Sequence, residues 1–405
     1  MKKVVVLGAG ISGLAVGWFL KQKWGDQIDL TILEKSERAG GWIRTLREDE
    51  FLFETGPRGF RPTGRGEATL ELVKALGLEA SLVAASKESK KRYICLDGKL
   101  HQFGLGLLVK QGLLGAVFHD LLTPKTTLDD ESIADFVTRR FNRRLAETVI
   151  DPLTKGIFGG DMSALSMRSC FPSLWRLEQE HGSVIRGLFA ARKQKKKSPA
   201  ALYTFQEGME ALTQALAREL NTELRLGQMV HTLDEFQADR IVSTLPAHAL
   251  APLLGMEDPC TYATLSLVNL GWHGHVLPKR GYGFLVPSLE KGEILGMTWD
   301  SEIFPRGPQT RICVMIKGSL PEAELIRRAL RTLKRCVGID TPPDLQKVTV
   351  AERAITQYTL HHEKRMAAFL KRVPPHVKAI GTSFAGPGVN DCIFTARSCA
   401  HDLSF

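Results

Sequence analysis

The sequence predicts an α/β protein whose chain opens on a parallel sheet wound with helices, and three observations in its first forty residues predict it. Val4-Val5-Val6-Leu7 is a short continuous β-branched run, the form of a strand buried on both faces. Gly8-Ala9-Gly10-Ile11-Ser12-Gly13 follows at once as G-x-G-x-x-G, and Leu14, Ala15, Phe19 and Leu20 then recur at helical spacing. A second apolar run, Ile28–Leu33, ends in Glu34, twenty-one residues after Gly13. Strand, glycine turn, helix, strand and acid, in that order, form the context in which the glycine pattern reads as dinucleotide binding.

Each residue of that turn has a physical task. Gly8 permits the tight bend, Gly10 lets the backbone approach a pyrophosphate, and Gly13 lets the helix lie close to the strand. The free N–H groups of the helix start, at Ile11 and Ser12, face the phosphates. Glu34, followed by Lys35, accepts from both ribose hydroxyls and disfavours a 2′-phosphate. Arg38-Ala39-Gly40-Gly41-Trp42 comes next, a second glycine pair for which a nicotinamide site has no need. Many two-dinucleotide-domain flavoproteins carry R-x-G-G here, with backbone N–H groups on the diphosphate and flavin, so the reading turns to FAD. A short strand, Phe51-Leu52-Phe53, then leads to Glu54-Thr55-Gly56-Pro57, as in such flavoproteins.

Later segments complete the same domain. Leu224–Val230 and Ala238–Leu245, ending at Pro246, read as a returning strand pair that includes Thr244. Val377–Thr382 reads as a strand reaching a glycine turn, and Gly386–Ile393, with Val389, Asn390 and Asp391, opens a final helix through Ala400. That helix start is placed to donate N–H groups to the O2 edge of a flavin. The FAD-binding domain is therefore expected to be discontinuous, from 1–75, 210–250 and 355–405. Residues 76–209 are expected to form a helical substrate and membrane-associating region, and 251–354 a mixed-sheet substrate domain.

Composition sets the outer limits. The 405 residues carry 54 Lys+Arg against 44 Asp+Glu, a net charge of +10, which suits nucleic acid, an anionic membrane surface or an acidic small molecule equally well. Hydrophobic residues at 43% and charged residues at 24% exclude general disorder, collagen and coiled coil. No apolar run reaches the ~18 residues of a spanning helix. The seven cysteines form no C-x-x-C pair, so scattered buried thiols in a reducing, cytosolic compartment are expected, with neither a disulfide framework nor a metal site. Met1-Lys2-Lys3 before an apolar run is similar to a signal peptide, but Gly8, Gly10 and Gly13 interrupt it.

The run Gly56-Pro57-Arg58-Gly59-Phe60-Arg61-Pro62 is more specific than any FAD motif. It resembles the G-P-R-G-x-R-P run of the eukaryotic-type, oxygen-dependent protoporphyrinogen IX oxidases. The resemblance continues in order through Gly156-Ile157-Phe158-Gly159-Gly160, Ser169–Leu174, Gly281–Ser288, Gln357–Leu360 and Val389–Ile393. It implies oxidation of protoporphyrinogen IX to protoporphyrin IX, removing six hydrogens with three O2 and yielding three H2O2, in haem biosynthesis. It also implies a peripheral membrane location on the inner face of the cell membrane, a homodimer and hand-off of product to ferrochelatase.

Site roles follow from the same resemblance. In the FAD set, Arg58 joins the glycine residues, and Val230 lies against adenine. Arg92 matches an arginine that pairs with a substrate propionate, a contact for which a guanidinium fork is suited; from the residues alone it is equally a solvated arginine in the basic run 87–92. Gly156 matches a glycine whose carbonyl faces the macrocycle. Tyr282, where the family often has Phe, and Leu285 match a clamp on the flat tetrapyrrole, and Met315 resembles a further pocket residue; core packing is the other reading of these positions. No catalytic acid, base or nucleophile is assigned. His361 stands where the family has glycine, Thr356 where it has proline, and a family hairpin has shrunk to Thr232–Asp239.

Two basic runs, 139–144 and 192–197, are expected to be solvated loops or lipid contacts, and the apolar stretch Leu105–Phe118 an interfacial helix, a channel lip or core packing. No nucleic-acid motif accompanies the charge, so no nucleic-acid partner is expected. Three rival readings are coproporphyrinogen III oxidation to coproporphyrin III, a flavin amine oxidase or carotenoid desaturase, and a non-catalytic FAD-containing tetrapyrrole carrier.

Overall fold

Two sheets organise the chain, one in each of the two compact units of a computed structural model that describes residues 1–110, 114–192 and 200–405. The first unit comprises Met1–Ala85, Ser198–Cys260 and Lys364–Phe405, and the second Ser86–Lys197 and Thr261–Glu363.

The first unit is built on a five-stranded, all-parallel sheet in the order Val377–Ala379, Arg240–Ser243, Lys2–Leu7, Ile28–Leu33, Leu224–Arg225. Its middle strand is buried along Val4–Leu7, as its β-branched composition requires. The helix Ile11–Trp24 returns from it and packs against the final helix, Val389–Asp402. Val4, Val6, Leu14, Val16, Ile32, Leu212 and Ile393 share the core between sheet and helices. The final helix starts later than the sequence suggests because Gly386 takes φ +124° and Pro387 follows.

The returning strand expected over 224–230 is limited to Leu224–Arg225. Gly227 turns the chain at φ +66°, and the N–H groups of Gly227 and Gln228 donate to the carbonyls of Ser36 and Glu34 at 3.1 and 2.8 Å. Val230 therefore lies in irregular chain, half-buried. The shortened segment after it forms one turn, Leu233–Glu235, closed where Glu235 Oε1 accepts from the Thr232 N–H at 2.9 Å.

The second unit carries a mixed seven-stranded sheet in the order Leu345–Gln357, Thr261–Trp272, Thr310–Lys317, Ile294–Thr298, Gly283–Leu285, Arg92–Leu96, Lys99–Gln102. All its pairings are antiparallel except that of Gly283–Leu285 with Arg92–Leu96. One face is covered by the helix Glu322–Val337, whose Leu325, Ala329, Leu333, Cys336 and Val337 form a buried stripe at helical spacing. Val268, Phe284, Met297 and Val314 meet that stripe.

The same unit holds a helical group that includes Leu114–Leu122, Ile133–Arg140, Asp151–Phe158, Pro172–His181 and Val184–Arg192. The basic run 139–144 is in part its core. Arg140 is fully buried: Nε donates to Asp120 Oδ1 at 2.6 Å, and Nη2 donates to the carbonyls of Asp120 and Gly182 at 2.8 and 2.9 Å. Arg139 donates to Glu131 and Glu178. The periodicity of a short helix places Arg140 inward, and only the fork geometry of a guanidinium could satisfy so many acceptors there. Residues 111–113 of the apolar stretch and 193–197 of the second basic run lie outside the described residues.

Candidate active site

In the first unit, the glycine turn sits at the carboxyl ends of the parallel strands, the place where open α/β sheets bind ligands. Gly8 takes φ +92°, and its N–H donates to the Leu33 carbonyl at 2.7 Å. A Cβ on Gly13 would stand 1.8 Å from the Gly8 carbonyl oxygen, so the helix approaches the turn as closely as backbone allows. Gly10, in extended conformation, caps the helix without any side-chain acceptor, and no acid lies in the first turn. The N–H groups at the start of the helix are thus offered to an anion, with the positive end of the helix dipole behind them.

Glu34 closes the turn from the neighbouring strand. Its Oε2 accepts from the Ala9 N–H at 2.8 Å, and its Oε1 accepts from the Ser36 N–H and Oγ at 3.0 and 2.8 Å. Each carboxylate oxygen keeps accepting capacity for a sugar hydroxyl. Lys35 beside it is exposed.

The second glycine pair lies on the first. The Gly40 N–H donates to the Ala9 carbonyl at 2.8 Å, and a Cβ on Gly41 would stand 3.1 Å from the Gly10 Cα. Arg38 holds this loop by donating to the Ala39 and Ile43 carbonyls at 3.0 and 3.3 Å. Its partial burial, and after that the Arg44 cation, lower its pKa, though an arginine stays charged. Trp42 is exposed, and a Cβ on Gly56 would meet the Trp42 carbonyl oxygen at 2.0 Å, which fixes Gly56 and Pro57 against the loop. Arg58 is half-buried.

Thr244 and the final helix complete the rim. Thr244 Oγ1 donates to the Leu7 carbonyl at 2.8 Å and would be met at 3.0 Å by a Cβ on either Gly8 or Gly13. At the helix start, Val389 is buried, while the side chains of Asn390 and Asp391 are already engaged. Asn390 Oδ1 accepts from Thr69 Oγ1 at 2.7 Å, its Nδ2 donates to the Arg61 carbonyl at 2.9 Å, and Asp391 Oδ1 accepts from Arg65 at 2.7 Å. Any help this helix gives a cofactor comes from its backbone. Gly381, at φ +114°, sits against Ser12 Oγ and the Thr244 carbonyl. It is a rim position that the sequence marked only as a glycine turn. The two backbone cradles, each sealed against a Cβ, and the acid beside them fit an FAD diphosphate and ribose.

In the second unit, the sheet face opposite the Glu322–Val337 helix brings the remaining residues together. Leu285 pairs with Gly296 and Gly296 with Met315, so Leu285 and Met315 flank a glycine in one row across three strands; both are half-buried. Gly156, in the helix Asp151–Phe158, lies on the same face: a Cβ there would stand 2.7 Å from Leu285 Cδ2. Gly296, which the sequence did not single out, lets the Leu285 side chain lie across the row: a Cβ there would stand 2.5 Å from the Phe284 carbonyl oxygen and 2.9 Å from Leu285 Cδ2.

Arg92 begins the strand Arg92–Leu96, exposed, with its guanidinium 5.0 Å from the Tyr282 ring centroid. Among the described residues no carboxylate pairs with it. Lys91, by contrast, is paired with Glu88 at 2.7 Å, and that bond raises its pKa. The guanidinium lies over the ring, and its donor edge makes no ion pair among the described residues. His361 has φ +61°, the left-handed conformation that suits the glycine of the resemblance, and its N–H donates to Asp130 at 2.8 Å.

Comparison with known proteins gives these residues their setting. The model of the family described as flavin containing amine oxidoreductase matches residues 11–403. A protoporphyrinogen oxidase of Bos taurus is 33% identical, over 98% of both chains. A coproporphyrinogen III oxidase of Bacillus subtilis (strain 168) is 27% identical, over 99% of this chain and 97% of its own. The crystal structure of a protoporphyrinogen oxidase candidate from Exiguobacterium sp. 255-15 superposes with a TM-score of 0.84 at 23% identity, over 99% of this chain and 98% of its own, a likeness of fold.

Proposed function

Because the chain belongs to the flavin containing amine oxidoreductase family, we propose that it is an FAD enzyme that oxidises protoporphyrinogen IX to protoporphyrin IX in haem biosynthesis. The observation that carries the reading is the relative at 33% identity, a protoporphyrinogen oxidase matched over 98% of both chains. The unpaired, stacked Arg92 and the apolar row of Leu285 and Met315 support it, since the substrate is a flat apolar ring bearing carboxylates.

Bound FAD supplies the acceptor for the hydride that leaves a porphyrinogen meso carbon. The protein's task is then binding and orientation. Arg92 takes a propionate through its fork, while Tyr282 holds the guanidinium in place. Leu285 and Met315 pack on the ring, and Gly156 lets Leu285 lie close to the helix and turns its own carbonyl to the macrocycle. No side chain in this set acts as a general acid or base, which agrees with a meso carbon already activated by its pyrroles. Three rounds, each reducing one O2 to H2O2, remove six hydrogens.

We extend the reading to a peripheral membrane site. No helix among the described residues is long and apolar enough to cross a membrane. Phe118 and Leu122 on Leu114–Leu122, and Leu188 and Phe189 on the helix packed against it, are exposed apolar side chains suited to an interface. Flotation with anionic and neutral liposomes tests this, and binding to neither removes it.

The deciding experiment is kcat/KM on protoporphyrinogen IX and coproporphyrinogen III side by side. We expect anaerobic bleaching of the flavin by protoporphyrinogen, return of its colour with O2, and the higher kcat/KM on this substrate. A higher value on coproporphyrinogen III transfers the assignment to that reaction. Flavin that neither substrate bleaches leaves a carrier.

A further inference from the structure

The thiols expected to be scattered are not all so. Cys95, in the strand Arg92–Leu96, and Cys336, in the last turn of the helix Glu322–Val337, stand with their Sγ atoms 3.0 Å apart, although 241 residues separate them. Both belong to the second unit. The sulfur atoms are nearer than non-bonded sulfurs rest, and within ~1 Å of the length of an S–S bond. Cys95 is wholly buried under Cys336, and Cys336 reaches the surface with 8% of its area, beside the exposed Arg335.

We propose that Cys95 and Cys336 are a redox site at which hydrogen peroxide writes a reversible disulfide joining the strand Arg92–Leu96 to the helix. The order of events follows from the surroundings. Cys336 is the thiol held low, at about 7, first by the hydrogen bond from the Cys95 thiol and then, against its burial, by Arg335. The same bond pushes Cys95 up. Glu290, whose Oε1 accepts from the Asp97 N–H at 2.6 Å, opposes the thiolate weakly. Burial raises Cys170 to about 12, and Cys392 and Cys399 each to about 11, so these thiols are poor nucleophiles by comparison.

The Cys336 thiolate attacks one oxygen of H2O2, the O–O bond breaks, and the leaving hydroxide takes a proton to become water. The Cys95 sulfur then attacks the resulting sulfenic acid at sulfur, the S–O bond breaks, and the departing hydroxide leaves as a second water with the Cys95 proton. Two thiols lose two electrons and one peroxide gains them. Peroxide added from outside serves equally, so the site does not depend on the porphyrinogen reading, although an oxidase of that kind would itself make the oxidant.

The test treats the pre-reduced, FAD-loaded protein with a few equivalents of H2O2, followed by thiol titration and peptide mass spectrometry without reduction. We expect two of the seven thiols to disappear, a linked peptide pair holding Cys95 and Cys336, full return with dithiothreitol, and a thermal midpoint higher by roughly 5 °C in the oxidised form, since a long loop has been closed. In Cys95→Ala the sulfenic acid on Cys336 has no resolving partner and is trapped by dimedone; in Cys336→Ala, Cys95 takes no dimedone. If oxidised wild-type protein holds no Cys95–Cys336 peptide, or if the bridge joins other cysteines, the proposal is overturned. The wild-type measurement stands even where a variant fails to fold, and the added peroxide separates this failure from one of the proposed oxidase activity.

Discussion

The turn at Gly8–Gly13 is assembled from six consecutive residues, whereas the face holding Arg92, Gly156, Leu285 and Met315 draws on separate strands and a helix. The first is made of backbone. Its tolerances are those of atoms that cannot move, as the 1.8 Å between a Gly13 Cβ and the Gly8 oxygen shows. The second is made of side-chain ends. The approach of Gly156 to Leu285 is to a methyl group that can rotate away. A backbone cradle should therefore fail outright when altered, and a side-chain face should change by degrees.

The largest expected effect is that of Gly13→Val. Its branched Cβ has no place beside the Gly8 carbonyl, so either the helix or the turn must shift. We expect purification without yellow flavin and a loss of about 1–3 kcal/mol of stability from overpacking. Flavin content equal to wild type would break the comparison at its strongest point.

Arg92→Ala should come next. The side chain is exposed and unpaired among the described residues, so the melting temperature and flavin content should hold. The kcat/KM on protoporphyrinogen IX should fall about 10–100-fold, the value of a hydrogen-bonded charge, with Arg92→Lys between the two. Equal losses in Arg92→Ala and Tyr282→Ala, and no further loss in the double variant, would sharpen the idea that Tyr282 acts by holding the guanidinium.

Glu34→Gln tests the cradle more gently. The amide keeps one acceptor but turns an NH2 group towards either the Ala9 or the Ser36 N–H, both of which now donate to the carboxylate. One donor left without a partner costs about 1–3 kcal/mol, so FAD should dissociate roughly tenfold more readily. Retention equal to wild type through repeated dialysis would mean that Glu34 only closes the turn.

What the sequence could reveal follows the same division. The strand at Val4–Leu7, the glycine turn and the helix after it are legible because the residues that dictate them are adjacent, and a φ of +92° at Gly8 is a local demand. Early termination of the Leu224–Arg225 strand was hidden because Gly227 bends towards carbonyls of another segment. The Arg139-Arg140 pair reads as surface charge until Asp120, Glu131, Glu178 and Gly182 are known to converge on it. The row of Leu285, Gly296 and Met315 depends on strand register, and the Cys95–Cys336 contact on the packing of a helix over a sheet. Neither leaves a pattern in any short window. Only the family resemblance pointed to Arg92, Gly156, Tyr282, Leu285 and Met315, and their roles as a substrate face remain the proposal made above.

Gly156→Ala should have the smallest effect, and it has two opposed parts. Within the helix Asp151–Phe158 alanine is favoured over glycine by about 1 kcal/mol. Against this, the new methyl at 2.7 Å pushes Leu285 Cδ2 aside, a cost that rotation of a half-buried side chain largely relieves. The two nearly cancel, so the thermal midpoint should move by no more than a few degrees. The displaced Leu285 moves into the space proposed for the ring, so KM should rise a few-fold while kcat changes less. Leu285→Ala removes the methyl that is pushed, and in that background Gly156→Ala should no longer raise KM. A coupling of at least ~0.5 kcal/mol in this double-variant cycle is the expected signature of the contact. Strict additivity would mean that Gly156 acts through its own backbone, and would move this position from the side-chain face to the class of the glycine turn.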